Sequence, residues 1–329
     1  MHALCCSAGG IYIRVESDVP EVLSVTEHAL GSVKGDADCA VSILVKRTTA
    51  RTPALSDGDG AGRTVFDLKH VTYVYDSSRL SYSVRAGEAA WGMIDCTNNS
   101  VEWHVRGPLP PRTLLHGFVL DPLSLLLPRY SVMICHGTAV ATTAGAVLLF
   151  GRSGVGKSTL AFLSSHEEPD VGIRHLTDDT MVLTFSGATV EAHPVHSGFG
   201  LTPDIVQRFR LEDLPVLQRS RGKVYVSRLP LQAYGAHPVR HVIFLQKEGG
   251  NAVECGVVRL SPAQRLQALL DAQTSIANPY VRHRLTMWQR LAIQASALRV
   301  RYREYCDVTL LRDLIAVGGT PADTSRGEG

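Results

Sequence analysis

The stretch GRSGVGKS, residues 151–158, decides the fold of this chain. It matches the pattern G-x-x-x-x-G-K-[ST], the P-loop, in which a glycine-rich turn directs its backbone N–H groups toward a polyphosphate. The apolar run at 146–150 predicts a buried strand before the loop, and 159–163 predicts the opening of a helix after it. Such a helix directs the positive end of its dipole at the phosphates. The residues predicted to contact a nucleotide are Gly151, Ser153, Gly154, Val155, Gly156, Lys157, Ser158 and Thr159.

The overall composition bounds the class of protein. With 329 residues, of which 45% are hydrophobic, the chain can build one large domain or two smaller ones. A net charge of +2, with 19% charged residues, gives no reason to expect nucleic acid or a membrane surface as a partner. Seven scattered cysteines without a C-x-x-C pair, no visible signal peptide and no long apolar run predict a reduced, cytoplasmic chain.

The pattern of elements changes near residue 110. Segments within 11–105 predict short strands, with one helix at Pro20–Leu30. Three prolines within 107–111 predict a joint between domains. We therefore predict a β-rich N-terminal domain over 1–110 that binds a substrate or partner, a P-loop domain over 111–317 and a flexible tail over 318–329.

Strands alternate with helices after residue 111, which indicates an α/β core with a mixed sheet. The predicted strands are 131–135, 146–150, 181–184, 224–226 and 241–245. The predicted helices are 204–209, 261–271 and 281–297, and the second of them opens with Ser261 as N-cap and Pro262 at the first helical position.

Two adjacent carboxylates, Asp178 and Asp179, precede an apolar strand soon after the P-loop. Phosphoryl transfer uses one carboxylate to hold Mg²⁺ and often a second to accept the proton of the attacking hydroxyl. Successive side chains on an extended backbone point to opposite sides, so each carboxylate could face a different neighbour. The alternative is an Asp-Asp turn at the surface.

A histidine and a basic segment are further candidates. His136 ends the strand that comes before the P-loop strand, and it could hydrogen-bond an aspartate or a phosphate; the alternative is a structural histidine. Arg219, Arg221 and Lys223 alternate along the chain, so an extended backbone places them on one side. There they could stabilise the transferring phosphoryl group, and Arg221 and Lys223 are the favoured pair. The alternative is a solvated basic loop.

His136-Gly137, the P-loop at 151–158 and Asp178-Asp179 occur in an order and at a spacing that resemble the HPr kinase/phosphorylase family. The resemblance is close over about 131–185 and loose over the rest of the C-terminal half. The nucleotide-binding fold of that family is also similar to that of phosphoenolpyruvate carboxykinase. The resemblance therefore implies an α/β core with a mixed sheet, ATP as cofactor with GTP as the alternative, and Mg²⁺.

The resemblance also implies a role for each matched residue. Lys157 and the loop backbone would hold the β-phosphate, while Ser158 and Asp179 would serve Mg²⁺. Asp178 would be the base that accepts the proton of a substrate hydroxyl, and His136 would tune its orientation or charge. The division of base and metal ligand between the two aspartates stays open.

The chain departs from the family in two places. Members that act on HPr carry a Glu-rich signature with several glycines after the Asp-Asp strand, whereas Glu191 stands here in a different pattern. The N-terminal half does not resemble the regulatory domain of the bifunctional enzymes. The chain resembles instead the divergent branch of HPr-kinase-like proteins associated with peptide natural products, including lasso-peptide tailoring kinases, which phosphorylate a serine hydroxyl on a peptide.

The resemblance to this branch implies that the chain is an ATP-dependent serine kinase whose acceptor is a peptide. A kinase of a small-molecule alcohol or amino acid is one alternative, and a regulatory module that binds ATP without transferring phosphate is another. The expected partners are the peptide or small-molecule acceptor and, by analogy with oligomeric relatives, further copies of the chain. Neither nucleic acid nor a membrane is expected.

Overall fold

The chain is a mixed α/β protein rich in sheet, as predicted. Its backbone divides into two compact units, of which the first is Met1–Ile134 with Ser275–Leu285 and the second is Cys135–Thr274 with Thr286–Gly329. The computed structural model describes residues 1–33, 38–51, 63–68, 71–166, 172–196, 199–213, 216–220, 222–226, 233–247, 256–272 and 279–302.

An eight-stranded sheet forms the first unit. Its strands are β1 (His2–Ala8), β2 (Ile11–Ser17), β3 (Val41–Arg47), β4 (Arg63–Leu68), β5 (Val71–Asp76), β6 (Ser81–Ala86), β7 (Ala90–Asp95) and β8 (Ser100–Val105). They lie in the order β1-β2-β3-β8-β7-β6-β5-β4. The β2/β3 and β3/β8 pairs are parallel and the others antiparallel. Helix α1 (Pro20–Leu30), which matches its predicted bounds, makes the crossover from β2 to β3.

A helical segment follows β8 and packs against that strand. It consists of α2 (Pro111–Leu115), a π-helical turn (His116–Leu120), α3 (Asp121–Leu126) and a 3-10 turn (Leu127–Tyr130). Trp103 of β8 stacks on Phe118 with ring centroids 4.5 Å apart, and its indole N–H donates to the Phe118 carbonyl oxygen at 3.2 Å. The division between the two units lies at Ile134, because this apolar segment is buried with the N-terminal sheet.

The remaining strands form a nine-stranded sheet and a three-stranded sheet. The strands are β9 (Val132–His136), β10 (Thr138–Thr142), β11 (Gly145–Phe150), β12 (Arg174–Thr177), β13 (Thr180–Ser186), β14 (Thr189–His193), β15 (Phe199–Leu201), β16 (Val216–Ser220), β17 (Lys223–Val226), β18 (His237–Lys247), β19 (Gly256–Arg259) and β20 (Ser296–Tyr302). The large sheet has the order β12-β10-β11-β18-β14-β13-β9, with β20 on β18 and β19 on β20, and the small one has the order β15-β17-β16.

Four helices accompany these strands in the described part of the chain. They are α4 (Lys157–His166), α5 (Pro203–Arg208), α6 (Pro262–Asp271) and α7 (Val281–Gln294). Helix α6 begins with the predicted Ser261 cap, completed by a reciprocal bond with Gln264. No helix within the described ranges is both long and apolar enough to cross a lipid bilayer.

The last described strand corrects a sequence prediction. The helix predicted over 281–297 ends at Gln294, and β20 begins at Ser296. β20 lies between β18, to which it is parallel, and β19, to which it is antiparallel. Pairing on both sides satisfies its backbone and buries Ala297, Leu298 and Val300, which outweighs the helical pattern of the preceding residues. The predicted tail, 318–329, lies outside the described residues.

Strand β11 positions the P-loop. It is buried along its whole length, as its apolar sequence predicts, and it runs parallel to β18, which in turn runs parallel to β20. Helix α4 follows the loop and contributes Leu160 and Phe162 to the core beneath the sheet. Ligands of such sheets bind beyond the carboxyl ends of parallel strands, and the P-loop leaves β11 at that edge.

Candidate functional site

The loop between β11 and α4 has the backbone conformation that its glycines predict. Gly151, Gly154 and Gly156 have φ angles of 149°, 81° and 98°, values that favour glycine. A Cβ on Gly151 would lie 2.6 Å from the carbonyl oxygen of Leu245, and a Cβ on Gly156 would lie 2.7 Å from the hydroxyl of Tyr302. The loop is thus held closely against the carboxyl ends of β18 and β20.

The other predicted nucleotide-contacting residues divide into an exposed tip and a buried base. Ser153 is exposed at the tip of the loop. Val155 packs into the core, and Thr159 is buried in the first turn of α4. The tip is accessible to a ligand while the base is fixed, which is what a preformed phosphate site requires.

The ammonium group of Lys157 lies inside the loop. It donates to the carbonyl oxygens of Gly151 at 2.8 Å and Arg152 at 3.2 Å. Burial lowers the pKa of Lys157, while the charges of Asp179 and Asp178 act in the opposite direction. The lysine is therefore electrostatically coupled to both predicted carboxylates.

Asp178 is buried and accepts three hydrogen bonds. Its Oδ1 accepts from Ser158 Oγ at 2.8 Å and from Thr138 Oγ1 at 2.7 Å, and its Oδ2 accepts from the backbone N–H of Gly200 at 3.1 Å. Burial, with a smaller contribution from the charge of Asp179, raises the pKa of Asp178 to about 6 even though the three donors oppose this shift. The contact of Ser158 is thus with Asp178, whereas the resemblance paired Ser158 with Asp179.

Asp179 occupies a tight turn between β12 and β13. Its φ of 62° is rare for a residue other than glycine, and Thr180 N donates across the turn to the Asp178 carbonyl oxygen at 2.8 Å. The carbonyl oxygen of Asp179 accepts from His136 Nδ1 at 2.8 Å and from Gly137 N at 3.3 Å. His136 therefore reaches the Asp-Asp turn through the main chain of Asp179, and its role in tuning Asp178 stays a prediction.

The basic segment is only partly described. Lys223 begins β17, and its Cδ would lie 3.2 Å from a Cβ on Gly200, the residue whose N–H binds Asp178. The charge of Lys223 also lowers the pKa of Lys157, although burial is the larger cause. Lys223 thus lies at the site, whereas Arg221 is outside the described residues.

Thr138 and Gly200 complete the site and were not predicted from the sequence. Thr138 lies two residues after His136, at the start of β10, and it is buried. A threonine inside a strand gives no signal of its own, because strands favour threonine for its shape alone. Gly200 contributes only its backbone N–H, which any residue type carries. Both contacts depend on tertiary structure.

No family model matches the sequence, and no curated protein matches it. Among solved structures, the chain is similar to the HPr(Ser) kinase/phosphatase from Coxiella burnetii, with 13% sequence identity and a TM-score of 0.30 over 56% of this chain and 93% of that chain.

Proposed function

We propose that the chain is an ATP-dependent phosphotransferase that uses an alcohol group as acceptor. The observation that carries the proposal is the hydrogen bond from Ser158 of the P-loop to Asp178 at 2.8 Å, with Asp179 beside it. A P-loop alone supports nucleotide binding. A carboxylate bonded to the P-loop serine, together with a second carboxylate, supports phosphoryl transfer.

We assign the metal position to Ser158 and Asp178. Their hydroxyl and carboxylate oxygens are hard donors of the kind that Mg²⁺ prefers. When bound, the ion would neutralise charge on the β- and γ-phosphates. This assignment reverses the roles that the sequence resemblance implied for Asp178 and Asp179, and it rests on which of them bonds Ser158.

We assign the role of general base to Asp179. Both carboxylate oxygens of Asp178 already accept hydrogen bonds in a buried position, whereas Asp179 is partly exposed at the turn. Its carboxylate would accept the proton of the acceptor hydroxyl while that oxygen bonds to the γ-phosphorus and the bond from γ-phosphorus to the β-phosphate oxygen breaks. His136 and Gly137 hold the turn from which it acts.

The lysines would supply positive charge to the transferring group. On nucleotide binding, Lys157 would exchange the carbonyl oxygens of Gly151 and Arg152 for phosphate oxygens. Lys223 would approach from β17, and Arg221 stays a prediction from sequence. Charge placed in advance around the phosphoryl group stabilises its transfer.

For the acceptor we propose the serine hydroxyl of a peptide, supported by the sequence resemblance to peptide-tailoring kinases. Intact-mass spectrometry with ATP and Mg²⁺ tests this on serine-containing peptides, free serine and sugars. We expect one added phosphate on a peptide with the wild type and none with Asp179→Asn. Phosphate on free serine or a sugar alone would indicate a small-molecule kinase, and ATP binding without any modified acceptor would indicate a regulatory module.

The same assay, together with titration of ATP in the presence and absence of Mg²⁺, tests the division of roles between the aspartates. With Asp179 as base, Asp179→Asn keeps Mg²⁺-dependent ATP affinity and loses turnover, while Asp178→Asn loses that affinity. The reverse result would restore the assignment in which Asp178 is the base.

A further inference from the structure

Two cysteine thiols lie side by side at one edge of the first unit's sheet. Cys5 is on β1, Cys39 comes just before β3, and their Sγ atoms are 3.9 Å apart. Both residues are partly exposed. Because a disulfide bond is about 2 Å long, a sulfur–sulfur approach of about 2 Å would close the pair.

Backbone hydrogen bonds hold Cys5 and the residue after Cys39 in place. Val33 N donates to the Cys5 carbonyl oxygen at 2.8 Å, and Ala40 N donates to the Tyr12 carbonyl oxygen at 3.0 Å. Cys5 also stands opposite Arg14 in the antiparallel β1/β2 pair. The two thiols therefore approach each other because β1 pairs with β2 at Cys5 and because the residue after Cys39 bonds to β2 at Tyr12.

The neighbouring Cys6 does not share this position. Successive residues of a strand face opposite sides, and Cys6 is completely buried with its Sγ 3.7 Å from the Ile13 carbonyl oxygen. Burial raises the pKa of the Cys6 thiol to about 12. Cys5 and Cys39 are thus the accessible pair, and a bond between Cys5 and Cys6 is disfavoured by their opposite orientations.

We propose that Cys5 and Cys39 form a modification site at which a peroxide converts two thiols into a reversible disulfide. The thiolate of one cysteine attacks an oxygen of hydrogen peroxide, so that an S–O bond forms, the O–O bond breaks and one water leaves, giving a sulfenic acid. The second thiol attacks that sulfur, the S–O bond breaks and a second water leaves. Two thiols and one peroxide become one disulfide and two waters.

Burial and nearby charge act on the ionisation of the Cys39 thiol. Burial and the adjacent Cys5 raise the pKa of the Cys39 thiol, and the guanidinium of Arg14 opposes this shift. A cation near a thiol favours the thiolate, which is the nucleophile. Arg14 is the residue opposite Cys5 in the β1/β2 pair, so a cation lies next to this pair of thiols.

The disulfide has an expected physical consequence. It would close a loop that contains β2 and α1, and a cross-link across such a loop restricts the unfolded chain. The oxidised protein should therefore unfold at a higher temperature than the reduced protein. A thiol reductant should reverse the change, because the exchange reaction returns both thiols.

The test treats the full chain with hydrogen peroxide, blocks remaining thiols and maps tryptic peptides without reduction. We expect a cross-link between peptides 1–14 and 35–46 that disappears with dithiothreitol. Cys5→Ser and Cys39→Ser should each abolish it, while Cys6→Ser, the matched control, should leave it. Melting curves under reducing conditions establish that each variant folds.

Two results would overturn the proposal. One is a wild type that gains only sulfinic or sulfonic acid on Cys5 or Cys39, or no oxidation there at all. The other is a cross-link that persists in Cys5→Ser and disappears in Cys6→Ser. Neither result depends on whether the chain transfers phosphate.

Discussion

Ser158 Oγ and Thr138 Oγ1 donate to the same carboxylate oxygen of Asp178, at 2.8 Å and 2.7 Å. This shared acceptor connects the first turn of α4, the start of β10 and the turn after β12. Replacing any one of the side chains of Ser158, Thr138 and Asp178 should therefore alter the structure of the P-loop. The arrangement explains why a carboxylate is kept in a buried position, where an unpaired charge would be costly.

Replacing Gly151 by alanine should damage the P-loop more than replacing Gly154. Both have φ angles unfavourable to alanine, but only at Gly151 would the new Cβ meet backbone, the Leu245 carbonyl oxygen at 2.6 Å. The extra contact should cost about 1–3 kcal/mol. Nucleotide titrations and melting curves should thus show a larger loss for Gly151→Ala than for Gly154→Ala. Equal losses would mean that the contact with β18 does not shape the loop.

The stability of the ligand-free protein should depend on pH through Asp178. Its folded pKa of about 6 lies above the ordinary aspartate value, so folding favours the protonated acid. The contribution is fully present below about pH 4 and is lost as pH rises through about 6, a change on the order of 3 kcal/mol. Denaturant unfolding of the wild type and Asp178→Asn measures it. The stability of the wild type relative to the variant should fall between pH 4 and pH 7, and a difference that does not vary with pH would refute the assignment.

His136 should act on turnover through the main chain of Asp179. His136→Ala removes the donor to the Asp179 carbonyl oxygen, and misplacement of a reacting group by about 1 Å can cost on the order of 100-fold in rate. His136→Asn supplies an amide N–H and should recover part of the rate. The rate of ADP formation, measured at varied ATP concentration, separates an effect on kcat from an effect on KM. We expect kcat to fall with KM nearly unchanged, and a loss confined to KM would place His136 on the nucleotide instead.

The local parts of the site were predictable from the sequence. The strand before the P-loop, the loop itself and the helix after it follow from an apolar run, glycines and a lysine in a fixed order. His136 was a candidate partner of an aspartate or a phosphate because it ends a strand near the loop, and the contact it makes is with the main chain of Asp179. Local patterns suffice where neighbours in sequence are neighbours in space.

The parts that depend on distant pairing were not predictable. The first two residues of β20, 296–297, were predicted as the end of a helix, because the preceding residues carry a helical pattern and the partner strand β18 is remote in sequence. The bond between Ser158 and Asp178, rather than Asp179, depends on the left-handed turn at Asp179. No pattern in the sequence predicts that this aspartate has a positive φ angle.

Calorimetric titration of ATP into the protein, with and without Mg²⁺, tests most directly that this is a nucleotide-phosphate site. We predict Mg²⁺-dependent binding by the wild type with a dissociation constant between about 1 μM and 1 mM, a range typical of enzyme substrates. Lys157→Ala should weaken it by about tenfold or more, because a hydrogen bond from a charged group contributes about 1.5–3 kcal/mol. Lys46→Ala, which removes a surface partner of Glu102 in the first unit, is the control and should bind as the wild type does. Absence of binding by the wild type, or equal binding by Lys157→Ala, would contradict the proposed site.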